Sequence, residues 1–238
     1  MRTVLITGGS RGIGAAMVRL FSERGYRVAF TYNKSREAAS LLSEQTGALA
    51  IRADSASESE IVNAVKKVEE KLGNIEILIN NAAVSSFSLI TDVSTEDWRR
   101  MFSINVDAAF LYSKYTLPSM IRNRFGRIIN VSSMWGIVGS SCEVCYSTTK
   151  AALIGFTKAL AKEVGPSQIT VNAIAPGLID TDMNASLSEE DKAAVADETP
   201  LMRIGAPDEI AEAAFFLASD KAGFITGDVM NVSGGLVV

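Results

Sequence analysis

"TGGSRGIG", residues 7–14, follows the apolar run TVLIT (3–7) and opens an amphipathic stretch near 12–24. A strand, a glycine-rich turn and a helix in that order decide how the chain is read. The glycines fall at Gly8, Gly12 and Gly14, a G-x-x-x-G-x-G spacing. Glycine lets the backbone turn tightly and approach an anion closely, and the helix that follows presents free N–H groups and its positive dipole end. A glycine-rich loop by itself also serves as an ordinary turn. Its place between the first strand and the first helix points to a pyrophosphate-binding turn.

Outward from this turn, short apolar or β-branched runs alternate with helical patterns. Further strands are expected at 27–32, 48–52, 75–80, 126–132, 169–175 and 228–233, and helices near 35–46, 57–72, 94–123, 145–165 and 207–219. Several strand runs are continuously apolar, as in sheets covered on both faces. The helix at 57–72 places Ile61, Val62, Val65, Val68 and Leu72 on one stripe. The alternation predicts an α/β fold: a single-domain, Rossmann-like, doubly wound parallel sheet of about seven strands over residues 1–238, with helices on both faces. Ligands in such sheets bind outside the carboxyl ends of the strands.

The totals are those of a globular chain. Of 238 residues, 47% are hydrophobic and 21% charged, and the net charge is −4. That balance gives no basic surface for nucleic acid. No apolar run of ~18 residues is present to span a membrane, and the first residues read as strand and turn rather than signal peptide. A cytoplasmic location is expected. Cys142 and Cys145 form a lone C-x-x-C in a chain without histidine. A zinc site needs more thiolates or imidazoles, so no metal is expected. A redox pair is one reading; two small apolar residues near a helix start is the favoured one, structural disulfides being rare in cytosol.

The second strand ends in FTYNKSR (30–36), with no acid between Glu23 and Glu37. An NAD-selective site places a carboxylate there for the ribose 2′-hydroxyl. Here Asn33, Lys34 and Arg36, with Arg11 from the glycine turn, offer polar and positive groups that suit a 2′-phosphate. The expected cofactor is NADP(H). The alternative is that Lys34 and Arg36 are solvated loop charges.

Proton handling must do without histidine. Tyr146 and Lys150 stand at i and i+4 and share a helix face. A nearby ammonium favours the phenolate and makes the phenol a better donor to an alkoxide. Ser133 closes the fifth strand and offers a hydroxyl to the same substrate oxygen. Y-x-x-x-K also arises by chance on helices, and Ser132 and Ser133 could each cap a strand end. The ordered set of segments decides between these readings.

That set resembles the short-chain dehydrogenase/reductase superfamily, in particular its 3-oxoacyl-(acyl-carrier-protein) reductases. The matching segments are TGGSRGIG (7–14), NNAA (80–83), INV (104–106), VSS (131–133), YSTTK (146–150), NAIAPGLIDTDM (172–183) and ITGDVMNVSGG (225–235). The resemblance implies that Ser133 orients the carbonyl, that Tyr146 is the general acid, and that Lys150 binds the nicotinamide ribose and lowers the phenol pKa. It implies that Asn105 holds a water leading to Lys150. Gly8, Arg11, Gly12, Ile13 and Gly14 would hold the cofactor's phosphates and adenosine ribose. Asp54 would meet the adenine, Asn80 and Ala82 would line the adenosine–ribose side, and Pro176, Gly177, Ile179 and Thr181 would seat the nicotinamide amide. Residues 184–205 would form a lid over the substrate.

Three positions depart from the family pattern. Ala83 stands where glycine is usual, and Glu143 where these reductases often carry glutamine. Arg124 matches one cation of the carrier-docking pair, while Ser167 occupies the other place. The leading expectation is NADPH-dependent reduction of a ketone, foremost a 3-oxoacyl thioester presented by acyl carrier protein or coenzyme A. Within the same class the alternative is an NADP-dependent dehydrogenase of another alcohol, sugar or steroid; outside it, a non-catalytic NADP-binding sensor. Glu143 joins Ser133 and Tyr146 as an expected substrate residue. A homotetramer is implied, built on apolar residues such as Phe110, Leu111, Leu117, Leu153, Phe156 and Leu160, with the C-terminal GGLVV as a second contact. The other reading is that these six face their own sheet.

Overall fold

A computed structural model describes residues 1–185 and 187–237. The strands are β1 (Thr3–Ile6), β2 (Arg27–Tyr32), β3 (Leu49–Arg52), β4 (Ile77–Asn80), β5 (Gly126–Val131), β6 (Ile169–Pro176) and β7 (Val229–Val232). They form one seven-stranded sheet in the order β3-β2-β1-β4-β5-β6-β7, and every neighbouring pair is parallel. From β1 the chain builds outward to β3, then returns to lay β4 on the other side of β1. The crevice above β1 and β4 is therefore the switch point at which such sheets bind ligands.

The helices are α1 (Gly12–Glu23), α2 (Arg36–Thr46), α3 (Glu58–Leu72), α4 (Thr95–Phe102), α5 (Ala108–Asn123), α6 (Trp135–Val138), α7 (Val144–Val164), α8 (Glu189–Glu198) and α9 (Pro207–Ala218). Strand side chains alternate between faces. Val4, Ile6, Phe30, Ile79 and Ile129 pack under Met17, Phe21, Ile210 and Leu217 of α1 and α9. Leu5, Ala29, Leu78, Ile128 and Val171 pack under Ile61, Val65, Tyr112 and Leu160 of α3, α5 and α7. Both sheet faces are covered, which accounts for strand runs with no polar alternation.

Three features differ from the sequence expectation. The single helix expected over 94–123 is interrupted by a π turn, Ser103–Asp107, where the N–H of Ala108 donates to the carbonyl five residues back. Helix α8 lies inside the segment expected as a polar lid. A capping box holds its start: Ser188 Oγ accepts from the Asp191 N–H, and the Asp191 carboxylate accepts from the Ser188 N–H. None of its residues is buried, so it has no apolar stripe to read. Ser186, within that expected lid, lies outside the described residues, as does Val238 of GGLVV.

The apolar residues expected between subunits divide. Leu153 and Leu160 are buried in their own core, and Leu111, Leu117 and Phe156 pack against it. Phe110 is exposed. Among the described residues no helix is long and apolar enough to cross a membrane.

Candidate active site

The loops leaving β1, β2, β3 and β4 border a cleft of about 520 Å³. Its base is the glycine turn with Gly8, Arg11, Gly12, Ile13 and Gly14. Asn33, Lys34, Asp54, Ala82 and Thr181 stand in its walls. The turn is tied across the switch point. Thr7 Oγ1 accepts from the N–H groups of Asn81 and Ala82, each at 2.9 Å, and the Asn81 amide donates to the carbonyls of Thr7 (3.0 Å) and Gly8 (3.1 Å). From β2, the Thr31 carbonyl accepts from the Gly9 N–H at 2.9 Å.

This geometry demands glycine at two points. Gly8 has φ +65°, in the left-handed region, and a Cβ on Gly14 would lie 2.2 Å from the Gly8 carbonyl oxygen. Arg11, at the N-terminal cap of α1, makes no side-chain cap hydrogen bond. The first N–H groups of the helix thus face the cleft as anion donors.

A second cluster lies where β5 gives way to α6 and α7. Ser132 and Ser133 take different tasks there. Ser132 Oγ donates to the Lys150 carbonyl at 2.8 Å and fastens α7 to the sheet. Ser133 Oγ accepts from the Trp135 N–H at 3.2 Å, which leaves its own proton for another acceptor. Lys150 is 2% exposed; its Nζ donates to the Val131 carbonyl at 2.8 Å and lies 5.5 Å from the centre of the Tyr146 ring. Asn105, in the π turn, is fully engaged. Its Oδ1 accepts from the Val84 N–H (2.9 Å), and its Nδ2 donates to the Val84 carbonyl (2.9 Å) and to Thr149 Oγ1 (3.0 Å). Thr149 Oγ1 in turn donates to the Tyr146 carbonyl at 2.7 Å. Ala83 and Val84 line the cleft, so Asn105 links that wall to the helix carrying Tyr146 and Lys150.

The family described as "Enoyl-(Acyl carrier protein) reductase" matches residues 8–237. A 3-oxoacyl-[acyl-carrier-protein] reductase of Aquifex aeolicus is 40% identical over 98% of this chain and 96% of its own. An uncharacterized oxidoreductase of Bacillus subtilis, YmfI, is 40% identical over 98% of each. The solved structure of a mutant short-chain dehydrogenase/reductase from Serratia marcescens superposes with a TM-score of 0.94 at 34% identity, covering 100% of this chain and 98% of that one. The chain belongs to the short-chain dehydrogenase/reductase superfamily. It is an oxidoreductase of that superfamily, resembling the 3-oxoacyl-(acyl-carrier-protein) reductases, and it binds a nicotinamide cofactor.

The cleft of this dehydrogenase/reductase fits such a dinucleotide on its own geometry. A Cβ-free turn faces an uncapped helix start, and the end of β2 contributes Asn33 and Lys34 and no carboxylate. Several expected residues stand elsewhere. Asn80 is not in the wall. Side-chain alternation puts it on the same face as Leu78, where its Nδ2 donates to Asn130 Oδ1 at 2.9 Å in a buried polar network. Asn81, the first residue past the strand, is in the wall instead. Gly177 and Ile179 border a smaller neighbouring cavity of about 100 Å³ rather than the cleft, and Pro176 is the buried last residue of β6. Arg100 of α4 and Met183 line the cleft without any sequence signal, since they belong to no strand end or glycine turn.

The electrostatics depart from expectation at the tyrosine. Burial pushes the Tyr146 phenol up to about 12; the nearby Ser133 hydroxyl opposes the rise and the Glu143 carboxylate adds to it. The lowering expected from Lys150 is not seen in the protein alone. Lys150 is itself desolvated, which brings its ammonium down to about 7, and its Nζ is committed to Val131. Among the described residues no group of three or more His, Cys, Asp or Glu could hold a metal. Cys142 is half-buried and Cys145 buried, and both are free thiols.

Two outcomes follow from these contacts. Gly14→Ala forces a clash worth about 3 kcal/mol, so nucleotide affinity by fluorescence titration falls about 100-fold; an unchanged affinity overturns the role of the turn. Lys150→Met removes a buried ammonium. A depressed lysine pKa withholds stability as pH falls from 10.5 to about 7. The variant's thermal midpoint without cofactor therefore exceeds that of the native chain at pH 6 by more than at pH 10. An equal difference at both values overturns the assignment.

Proposed function

We propose that this enzyme reduces a 3-oxoacyl thioester to the 3-hydroxy product with NADPH. The observation that carries this reading is the convergence of Ser133, Tyr146 and Lys150 at the end of β5, joined through Asn105 and Val84 to a dinucleotide-shaped cleft. NADPH, when bound, supplies the hydride for the carbonyl carbon. The substrate oxygen, as it gains the C=O electron pair, accepts a hydrogen bond from Ser133 and the phenolic proton of Tyr146. Lys150 holds positive charge beside the phenol and binds the ribose. The Asn105 side chain is spent on Val84 and Thr149, so a water relay from this residue runs through its main chain.

Lys34 and Asn33, with Arg11 across the turn, receive the 2′-phosphate, a preference supported by the lack of any acid at the end of β2. Asp54 meets the adenine. Residues 184–205 close over the substrate. The 3-oxoacyl class is supported by the names of the relatives, and the site favours a ketone because two hydroxyl donors share one oxygen. Arg124 spends one guanidinium bond on the Pro166 carbonyl at 3.3 Å, and Ser167 is uncharged. Docking of an acidic carrier protein therefore rests on a single cation, and coenzyme A thioesters are accepted as well. The enzyme works in the cytoplasm as a homotetramer of single-domain chains.

NADPH consumption with acetoacetyl-coenzyme A tests this. Tyr146→Phe lowers kcat by about 10²–10⁴-fold, the range of a lost general acid, while NADPH binding persists. The same assay with NADH gives a lower kcat/KM. Tight NADPH binding without turnover of any 3-oxoacyl thioester overturns the proposal.

A further inference from the structure

Glu143 is a carboxylate that the proton chemistry above does not use, three residues before Tyr146 and on the same side of the first turn of α7. It occupies the N-terminal cap of that helix yet makes no side-chain cap hydrogen bond. Its backbone is held on both sides. Cys142, just before it, sits in the left-handed region at φ +60°, and its carbonyl accepts from the Ser88 N–H at 2.7 Å. The carbonyl of Glu143 itself accepts from the Ser147 N–H at 2.8 Å. The carboxylate is thus rooted beside the phenol, half-buried, with the Trp135 side chain as its hydrogen-bonding neighbour.

The surroundings offer it no cation. Lys150, on the same helix, has its Nζ on Val131. From α4, the charge that reaches this turn is Asp97, which bears on Cys145. The segments flanking the turn expose apolar side chains, with Phe87 80%, Val138 58% and Val144 40% exposed. A substrate approaching Tyr146 thus passes apolar side chains and one uncompensated negative charge.

Resting on the reductase reading above, we propose that Glu143 is a specificity-determining residue: it admits uncharged 3-oxoacyl esters and thioesters and turns away free 3-oxo carboxylates of the same chain length. A carboxylate rejects an anion by like-charge repulsion in a partly desolvated mouth, which is the repulsive half of specificity. The thioester differs from the free acid at the group that the charge would oppose, so discrimination needs no further contact.

The test compares the N-acetylcysteamine thioester of acetoacetate with acetoacetate itself, using the native chain, Glu143→Gln and Glu143→Asp, all saturated with NADPH. In Glu143→Gln the thioester-over-acid ratio of kcat/KM falls about tenfold or more, a shift of about 1.4 kcal/mol, while Glu143→Asp keeps it. Added salt raises acetoacetate turnover in the native chain and not in Glu143→Gln. A ratio unchanged in Glu143→Gln, or lost equally in Glu143→Asp, overturns the proposal. Ligand-observed NMR of acetoacetate on the NADP-loaded proteins reads the same discrimination without turnover. If no ketone is reduced but Glu143→Gln still gains anion binding, the reductase reading fails and this one stands. Equal anion binding in both proteins overturns it.

Discussion

A lysine ammonium buried between a helix and a sheet is the constraint on which the site depends. Lys150 is almost wholly removed from water, and desolvation alone brings its pKa to about 7. Removing an ion from water costs several kcal/mol unless its donors are met. The fold meets one of them with the Val131 carbonyl and then fixes the backbone around it. Ser132 Oγ bonds the Lys150 carbonyl, and Gly136 allows the approach, since a Cβ there would stand 2.8 Å from the Lys150 carbonyl carbon. The polar residues at the end of β5 exist in this pattern because α7 must lie close enough for the ammonium to be held and cannot drift.

The same helix must also be registered against the cleft above β1 and β4, which belongs to the other half of the sheet. The π turn does this. By widening the helix at Ser103–Asp107 it delivers Asn105, which bonds Val84 on the cleft side and Thr149 on the helix side. Thr7 and Asn81 complete the link by tying the loop after β4 to the glycine turn. An unbroken path of hydrogen bonds therefore runs from the glycine turn to the tyrosine's own backbone. Such second-layer contacts hold reacting groups to fractions of an ångström. π turns commonly appear where a function requires a side chain out of the regular helical position.

Much of this was legible in the sequence because it follows from local rules. Continuously apolar runs marked all seven strands, and the glycine spacing located the cleft's base. Tyr146 and Lys150 share a face by helical periodicity alone. What was not legible depends on contacts between distant segments. Asn80 and Asn81 look alike in NNAA, and only the strand's last residue decides which one turns inward. The π turn leaves no mark in the amphipathic pattern of 94–123. Helix α8 is specified by its capping box rather than by an apolar stripe. Arg100 reaches the cleft only because α4 is set beside it by the fold. The lowering of the phenol pKa expected from an i, i+4 ammonium ignored how deeply both groups are buried.

The direction of that last departure bears on the chemistry. A phenol at about 12 keeps its proton throughout the neutral range, so in the protein alone Tyr146 is a loaded donor and not a standing base. An alkoxide is a more basic acceptor than any phenolate, and transfer from Tyr146 to the oxygen of a reduced ketone remains downhill even from the raised value. The reverse reaction asks the same residue to take a proton from an alcohol, which requires the phenolate that burial and Glu143 both disfavour. Ser133 opposes them only in part. The environment of Tyr146 therefore leans toward ketone reduction over alcohol oxidation, and Glu143 acts twice in the same sense: it raises the proton donor's pKa and, on the reading argued above, restricts the carbonyls that reach it.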